Sequence, residues 1–225
     1  MNRFVCMLLF SALLLSSCGV MKAPITKADR YARMYEEKPV VLLVMPPINN
    51  SANVEAKELL YTSISRPLAE AGYYVLSPLL AMDVLKSESA YDSELFFDAP
   101  LTSFNKYFGA DAVVFSVIDS WTKSGFGIRT TIRYVIKSAL TGDILFDRTC
   151  DLYLDLQQTG SQGMFGALAD LVTSAINTAV TDHIVAARKA NYFIFRDLPK
   201  GKYSPDYMLD KDSSAEPEKI SATVK

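Results

Sequence analysis

Few residues of this chain have the types and spacing that catalysis requires. A nucleophilic site of the Ser-His-Asp kind would depend on His183, which is the only histidine. His183 falls within a long helical pattern near its apolar stripe, where a hydrogen-bonded structural role is the simpler interpretation. Zinc would need three or four grouped ligands, and the phosphate-cradling motif G-x-x-x-x-G-K-S/T does not occur. We therefore expect no enzyme, no metal site and no cofactor.

One short motif near the start of the sequence does indicate a chemical modification: Leu15-Ser16-Ser17-Cys18. A basic residue, Arg3, precedes an apolar run from Phe4 to Leu15, which is shorter than the about 20 residues of a membrane-spanning helix. An ordinary secretory signal is the other alternative, but it places no constraint on a cysteine. The pattern resembles a lipobox, which predicts removal of residues 1–17 as a signal peptide and lipidation of Cys18.

The predicted lipid anchor also indicates a location. A single acyl chain binds membranes reversibly, whereas the three chains of a mature lipoprotein hold it firmly. Gly19 follows the cysteine, where an aspartate would resemble an inner-membrane retention signal, and no acidic run follows. We therefore expect residence on the periplasmic face of the outer membrane. The charged residues 18–38 are predicted to be a lipidated start and a tether.

Composition narrows the classes of partner. The formal net charge is −2, and loss of Arg3 with the signal makes it −3, so there is no basic excess to bind nucleic acid. Of the three cysteines, Cys6 leaves with the signal and Cys18 carries lipid. Cys150 then remains unpaired in an oxidising compartment, and we expect it to be buried.

The first half of the chain alternates strand and helix patterns. Continuous apolar runs predict buried strands at 39–45 and 111–118, and a short strand is predicted at 73–76. Helices are predicted from the turn and N-cap residues at 49–53 up to Gly72, from Ser77-Pro78 to about Leu85, and from Asp98-Pro100 to Gly109. Pro67 should kink or divide the first of these helices.

The second half changes to a period of two. Residues 128–137 and 144–155 alternate apolar and polar side chains, which predicts antiparallel strands with Cys150 on the dry face and Arg or Lys facing Asp on the wet face. A long helix is predicted from about Gln162 to Ala190. The polar residues 210–225 are predicted to be a disordered tail. The expected fold is a single α/β domain over residues 39–209, with a mixed sheet of about five strands.

Three stretches resemble a known family: residues 40–53, with a strand ending in Pro-Pro and an Asn-rich turn; residues 66–75; and residues 108–115. They are similar to a family of bacterial lipoproteins of undetermined biochemical role. The family's fold resembles the amino-terminal domain of TolB, and similar domains occur in the lipoproteins CsgG and LpoB. None of these relatives uses the domain as a catalyst, so the resemblance implies docking or assembly. No long amphipathic hairpins of a CsgG-like pore are evident.

Two glycine-flanked aromatic segments, 121–127 and 160–166, invite a functional interpretation. Such side chains either close over the domain's own core or anchor another protein. Our hypothesis is that Phe126, Met164 and Phe165 contribute to a partner-binding edge, with Trp121 bracing one loop.

These observations predict a docking or assembly subunit of a secretion or cell-wall complex. The expected partners are the membrane, through the lipid, and other envelope proteins such as CsgG-like lipoproteins or further copies of the chain. The alternative is a periplasmic module that binds a small molecule or peptidoglycan. A binding module should present an open apolar pocket with polar groups, whereas a docking subunit should present an exposed apolar patch.

Overall fold

A computed structural model describes residues 24–156 and 177–225. Seven strands form one mixed sheet: β1 (Val41–Val44), β2 (Ile48–Asn49), β3 (Tyr74–Val75), β4 (Ala112–Ser124), β5 (Gly127–Ser138), β6 (Ile144–Asp155) and β7 (Lys219–Val224). Their order is β3-β1-β4-β5-β6-β7, and β2 also pairs with β4. The expected mixed α/β class is confirmed, but the sheet has two strands more than about five, namely β2 and β7.

The sheet combines two strand directions. Strand β1 is parallel to β3 and to β4, and β2 is also parallel to β4. Strand β5 is antiparallel to both of its neighbours, β4 and β6, and β7 is parallel to β6. On the wet face, the Arg133 guanidinium donates to both oxygens of Asp147 at 2.9 and 2.5 Å. This hydrogen bond raises the pKa of Arg133. The predicted cross-strand pairing of basic and acidic side chains is therefore confirmed at this position.

Eight helices occur within the described ranges: α1 (Lys27–Arg30), α2 (Ala32–Glu37), α3 (Glu55–Ser63), α4 (Ser65–Glu70), α5 (Pro78–Ser87), α6 (Ser93–Phe96), α7 (Thr102–Phe108) and α8 (Asn177–Phe195). The break between α3 and α4 falls just before Pro67, whose ring would clash with the carbonyl of Ser63 in a continuous helix. Gly109 ends α7 with a positive φ of 65°, as the sequence predicts. Helix α8 continues five residues beyond Ala190; its predicted start lies outside the described residues.

Both faces of β1 are buried. Leu42 and Val44 of β1 point into a large core that also contains residues of α2, α3 and α8. Leu43 and Met45 point into a second core, which α5 and α7 cover. This alternation explains why the β1 segment is apolar at every position.

The predicted tether belongs to the domain from Thr26 onward. Tyr31, Met34 and Tyr35 are buried, and the ring of Tyr31 stacks on Phe146 with centroids 5.3 Å apart. These three residues recur at the spacing of one helix face, a signal that the surrounding charges obscure. The expectation of a free tether over residues 18–38 is therefore wrong for α1 and α2.

The predicted disordered tail is also part of the fold. Strand β7 pairs with β6 in a register from Thr149 opposite Lys219 to Leu154 opposite Val224. Glu216, just before β7, forms an ion pair with Arg148, whose side chain is fully buried. The prediction of disorder over residues 210–225 is wrong, because β7 is held by backbone pairing with β6 and by Ile220, Ala222 and Val224, which alternate along it and pack against the large core.

Candidate functional site

The candidate site is the hairpin end, which we define as the β4–β5 turn with the parts of β6 and α8 beside it. Its first element is Trp121, which lies on β4 itself and not on a loop. The indole is 2% exposed, and its N–H donates to Nδ1 of His183 at 2.8 Å. The two rings are stacked with centroids 6.2 Å apart. Trp121 therefore braces the hairpin against α8 and does not itself form a contact surface.

Phe126 at the turn is presented outward. Its side chain is 72% exposed, the highest exposure of any phenylalanine in the described residues. Gly125 has a φ of 58°, which L side chains rarely adopt. A Cβ on Gly127 would lie 2.4 Å from the carbonyl oxygen of Leu154, so this position must be glycine to let β5 pass β6. The two glycines thus allow the tight turn that holds Phe126 out.

Two further contacts bring β6 and α8 to the same end of the sheet. The backbone N–H of Leu156 donates to the carbonyl oxygen of Phe126 at 3.3 Å. Asp182 of α8 lies 3.6 Å from the ammonium of Lys123. Met164 and Phe165, the other predicted contact residues, lie outside the described residues. Their grouping with Phe126 stays a prediction from the sequence.

The polar side chains at the hairpin end form hydrogen bonds within the protein. Because Nδ1 of His183 accepts the indole hydrogen, the neutral imidazole carries its own hydrogen on Nε2. Lys189 is buried and donates to the carbonyl oxygen of Asp155 at 2.5 Å, and its burial lowers the pKa of the ammonium. Among the described residues, no group of three His, Cys, Asp or Glu side chains could hold a metal ion.

A second apolar surface was missed by the sequence analysis. A cavity of about 450 Å³ opens between α5 and α7, lined by Val84, Phe104, Tyr107 and Phe108 with Glu88 and Ser103 at its polar edge. Val84 is 46% exposed and Tyr107 is 74% exposed. The sequence signal for this surface is that α5 carries exposed apolar residues, Val84 at the cavity and Leu79 and Leu80 outside it, in addition to those on its core face.

Cys150 lies in the large core, as expected. Burial raises the pKa of its thiol to about 11. A thiol with this pKa stays protonated and unreactive at neutral pH. In the part of the chain that the structure describes, no helix has the length and apolar content to cross a membrane.

The family model described as "Putative lipoprotein GNA1162-like" matches residues 29–199. The chain belongs to this family. Its membership confirms the lipoprotein resemblance inferred from sequence and supports a membrane-anchored place in the cell envelope. The "Putative lipoprotein NMB1124/NMB1162" of Neisseria meningitidis serogroup B is 28% identical over 178 residues, which are 77% of this chain and 81% of that protein.

Two solved structures are also similar to this GNA1162-like chain. Lipoprotein GNA1162 from Neisseria meningitidis covers 63% of this chain and 99% of its own, with 22% identity and a TM-score of 0.46. The C-terminal domain of LpoB from Salmonella enterica covers 61% of this chain and 88% of its own, with 15% identity and a TM-score of 0.33. The family and the two Neisseria meningitidis relatives are described as lipoproteins.

Proposed function

We propose that this GNA1162-like protein is acylated at Cys18, held on the periplasmic face of the outer membrane, and docks with other envelope proteins through its hairpin end. Cys18 lies outside the described residues, so the proposal for it rests on the lipobox spacing and on the lipoprotein family. The observation that carries the docking role is Phe126, an exposed aromatic side chain on a turn whose base is fixed by a buried tryptophan.

The energetic argument rests on preorganisation. Aromatic side chains dominate many protein interfaces because each one buries a large apolar area while fixing few rotatable bonds. The Trp121–His183 contact holds the base of the turn in place before any partner arrives, which lowers the entropy cost of binding. Without a partner, the exposed Phe126 side chain buries little apolar area and does little to stabilise the folded chain.

The experiment compares two matched exposed aromatics. Phe126→Ser should reduce recovery of envelope proteins that co-purify with the detergent-solubilised, acylated chain, whereas Tyr107→Ser at a distant helix should leave recovery unchanged. Both residues are more than 70% exposed, so both variants should fold. Unchanged recovery with Phe126→Ser would count against docking at this end. Labelling with a palmitate analogue, with Cys18→Ala as control, tests the anchor separately.

A second candidate function has its own observation. The α5–α7 cavity of about 450 Å³ has the apolar walls and polar edge of a small-molecule site. If the chain is a binding module, native mass spectrometry of protein from membranes should detect a retained small molecule. Val84→Arg should displace that molecule, and a ligand-free native chain would count against this alternative.

A further inference from the structure

The chain is fixed to the domain very close to its predicted lipid. The carbonyl oxygen of Ile25 accepts from the backbone N–H of Ala215 at 2.8 Å, and Thr26 forms a β-bridge with Ser214. Six residue steps separate Cys18 from Pro24, and they can span at most about 20 Å even if fully extended. The surface around Ile25 must therefore lie within about this distance of the lipid that Cys18 carries.

Exposed apolar side chains lie on this surface. Ile25 and Ile144 are 48% and 51% exposed and line one open depression of about 620 Å³. Leu140, at the turn between β5 and β6, is 62% exposed. We call these three residues the anchor-end cluster.

The β5–β6 turn is held to the N-terminal helices. Arg33 of α2 lies 3.6 Å from Asp143 in the turn, and the hydroxyl of Thr141 donates to Glu37 at 3.1 Å. The N-terminal helices and the β5–β6 turn therefore form one continuous surface. These contacts fix the position of the anchor-end cluster relative to the N-terminal helices.

Charges around the cluster are mixed. Asp29 and Glu218 line the same depression as Arg30, so the surface has no strong preference for an anionic partner. A phospholipid layer fits such a surface, because apolar side chains can enter the boundary between headgroups and acyl chains without a basic patch.

The hairpin end lies at the opposite end of β5. This strand has 12 residues between the Phe126 turn and the Leu140 turn, and a strand of that length spans about 40 Å. We propose that the anchor-end cluster rests on the phospholipid layer to which Cys18 is attached and that Phe126 points away from it. This orientation depends on the proposed acylation at Cys18 and adds to it the face that touches lipid.

Site-specific fluorescence tests the orientation in the acylated, full-length protein. One environment-sensitive fluorophore is placed at Ile144→Cys and, in a separate sample, at the matched control Phe126→Cys. Native Cys150 is fully buried and should not be labelled. The proteins are reconstituted in phosphatidylethanolamine and phosphatidylglycerol vesicles that contain a headgroup-attached quencher. Because the sites are about 40 Å apart along the strand, quenching should be at least about threefold stronger at 144. A second probe, Leu140→Cys, should behave like 144.

Each alternative outcome has a distinct signature. Equal quenching at 144 and 126, with protein that floats with the vesicles, would overturn the orientation and leave the anchor intact. A label at 144 that both the headgroup quencher and aqueous iodide fail to reach would mean that protein covers this face, which also overturns the proposal. Acylated protein that fails to float would overturn the anchor and the orientation together. Quenching at 144 should not change when phosphatidylglycerol is omitted.

Discussion

Replacing Glu216 with glutamine should destabilise the fold through its effect on Arg148, which lies 68 positions earlier in the sequence. The carboxylate of Glu216 neutralises Arg148, whose side chain is fully buried between β6 and α8. The same guanidinium also donates to the carbonyl oxygen of Ile194 at 2.9 Å. Glu216→Gln leaves this hydrogen bond in place and removes only the opposite charge. A buried cation is then left without its counter-charge.

The magnitude follows from burial. Removing one partner of a fully buried ion pair costs about 3–5 kcal/mol. The Glu216 side chain is 29% exposed, and glutamine still offers a carbonyl oxygen to the guanidinium. We therefore expect a loss of about 2–3 kcal/mol in the free energy of unfolding. With a urea dependence of about 1–3 kcal/mol per molar, the unfolding midpoint should fall by about 1 M.

Urea unfolding of the unlipidated Cys18→Ser chain measures this shift, and Arg196 supplies the control. Arg196 contacts the other oxygen of Glu216 at 2.7 Å, but its side chain is 46% exposed. Arg196→Gln should therefore cost about 1 kcal/mol or less. Combining Glu216→Gln with Arg148→Met should restore much of the stability, because the double variant removes the buried guanidinium together with its counter-charge. Equal midpoints for Glu216→Gln and Arg196→Gln would refute the reasoning.

Further outcomes are expected in the same unlipidated background. Thiol reagents at pH 8 should modify Cys150 far more slowly in the folded chain than in urea. Because the folded pKa is raised from 9.0 to about 11, the thiol's contribution to stability should be lost as pH rises from about 9 to 11, and Cys150→Ala should reduce that fall. Trp121→Phe should lower the unfolding free energy by about 1–2 kcal/mol, since it leaves Nδ1 of His183 without its donor, whereas Phe126→Ser should change it by less than about 0.5 kcal/mol. Gly127→Ala should cost about 2 kcal/mol or more because β6 must move, and Gly125→Ala about 1 kcal/mol for its positive φ, both measured by urea unfolding.

Strands β5 and β6, which have one wet face, are among the elements that the sequence predicts well. Strands β5 and β6 show a period of two because α8 and the core cover only one side of each. Even the burial of Arg148 follows this parity, since the residue lies between Phe146 and Cys150 on the dry face. Its partner could not be predicted, because nothing in the local pattern links position 148 to position 216.

The ends of the chain were mispredicted for a related reason. Helix α2 and strand β7 have six residues each, too few for a clear apolar pattern among the surrounding charges. Long-range contacts hold both ends of the chain: Tyr31, just before α2, with Phe146, and β7 with β6. At the hairpin end, the glycines correctly indicated the turn at Phe126. The same pattern placed Trp121 on a loop, because continuation of β4 beyond its irregularity between Ile118 and Ser120 has no local signal.

Photo-crosslinking from position 126 tests the central claim most directly. A photoreactive phenylalanine analogue replaces Phe126 in the acylated protein within intact envelopes, and the same analogue at Tyr107 serves as the control. The account predicts a discrete protein adduct from position 126 that is absent from position 107. No adduct at 126, or the same adducts from both positions, would contradict docking through the hairpin end.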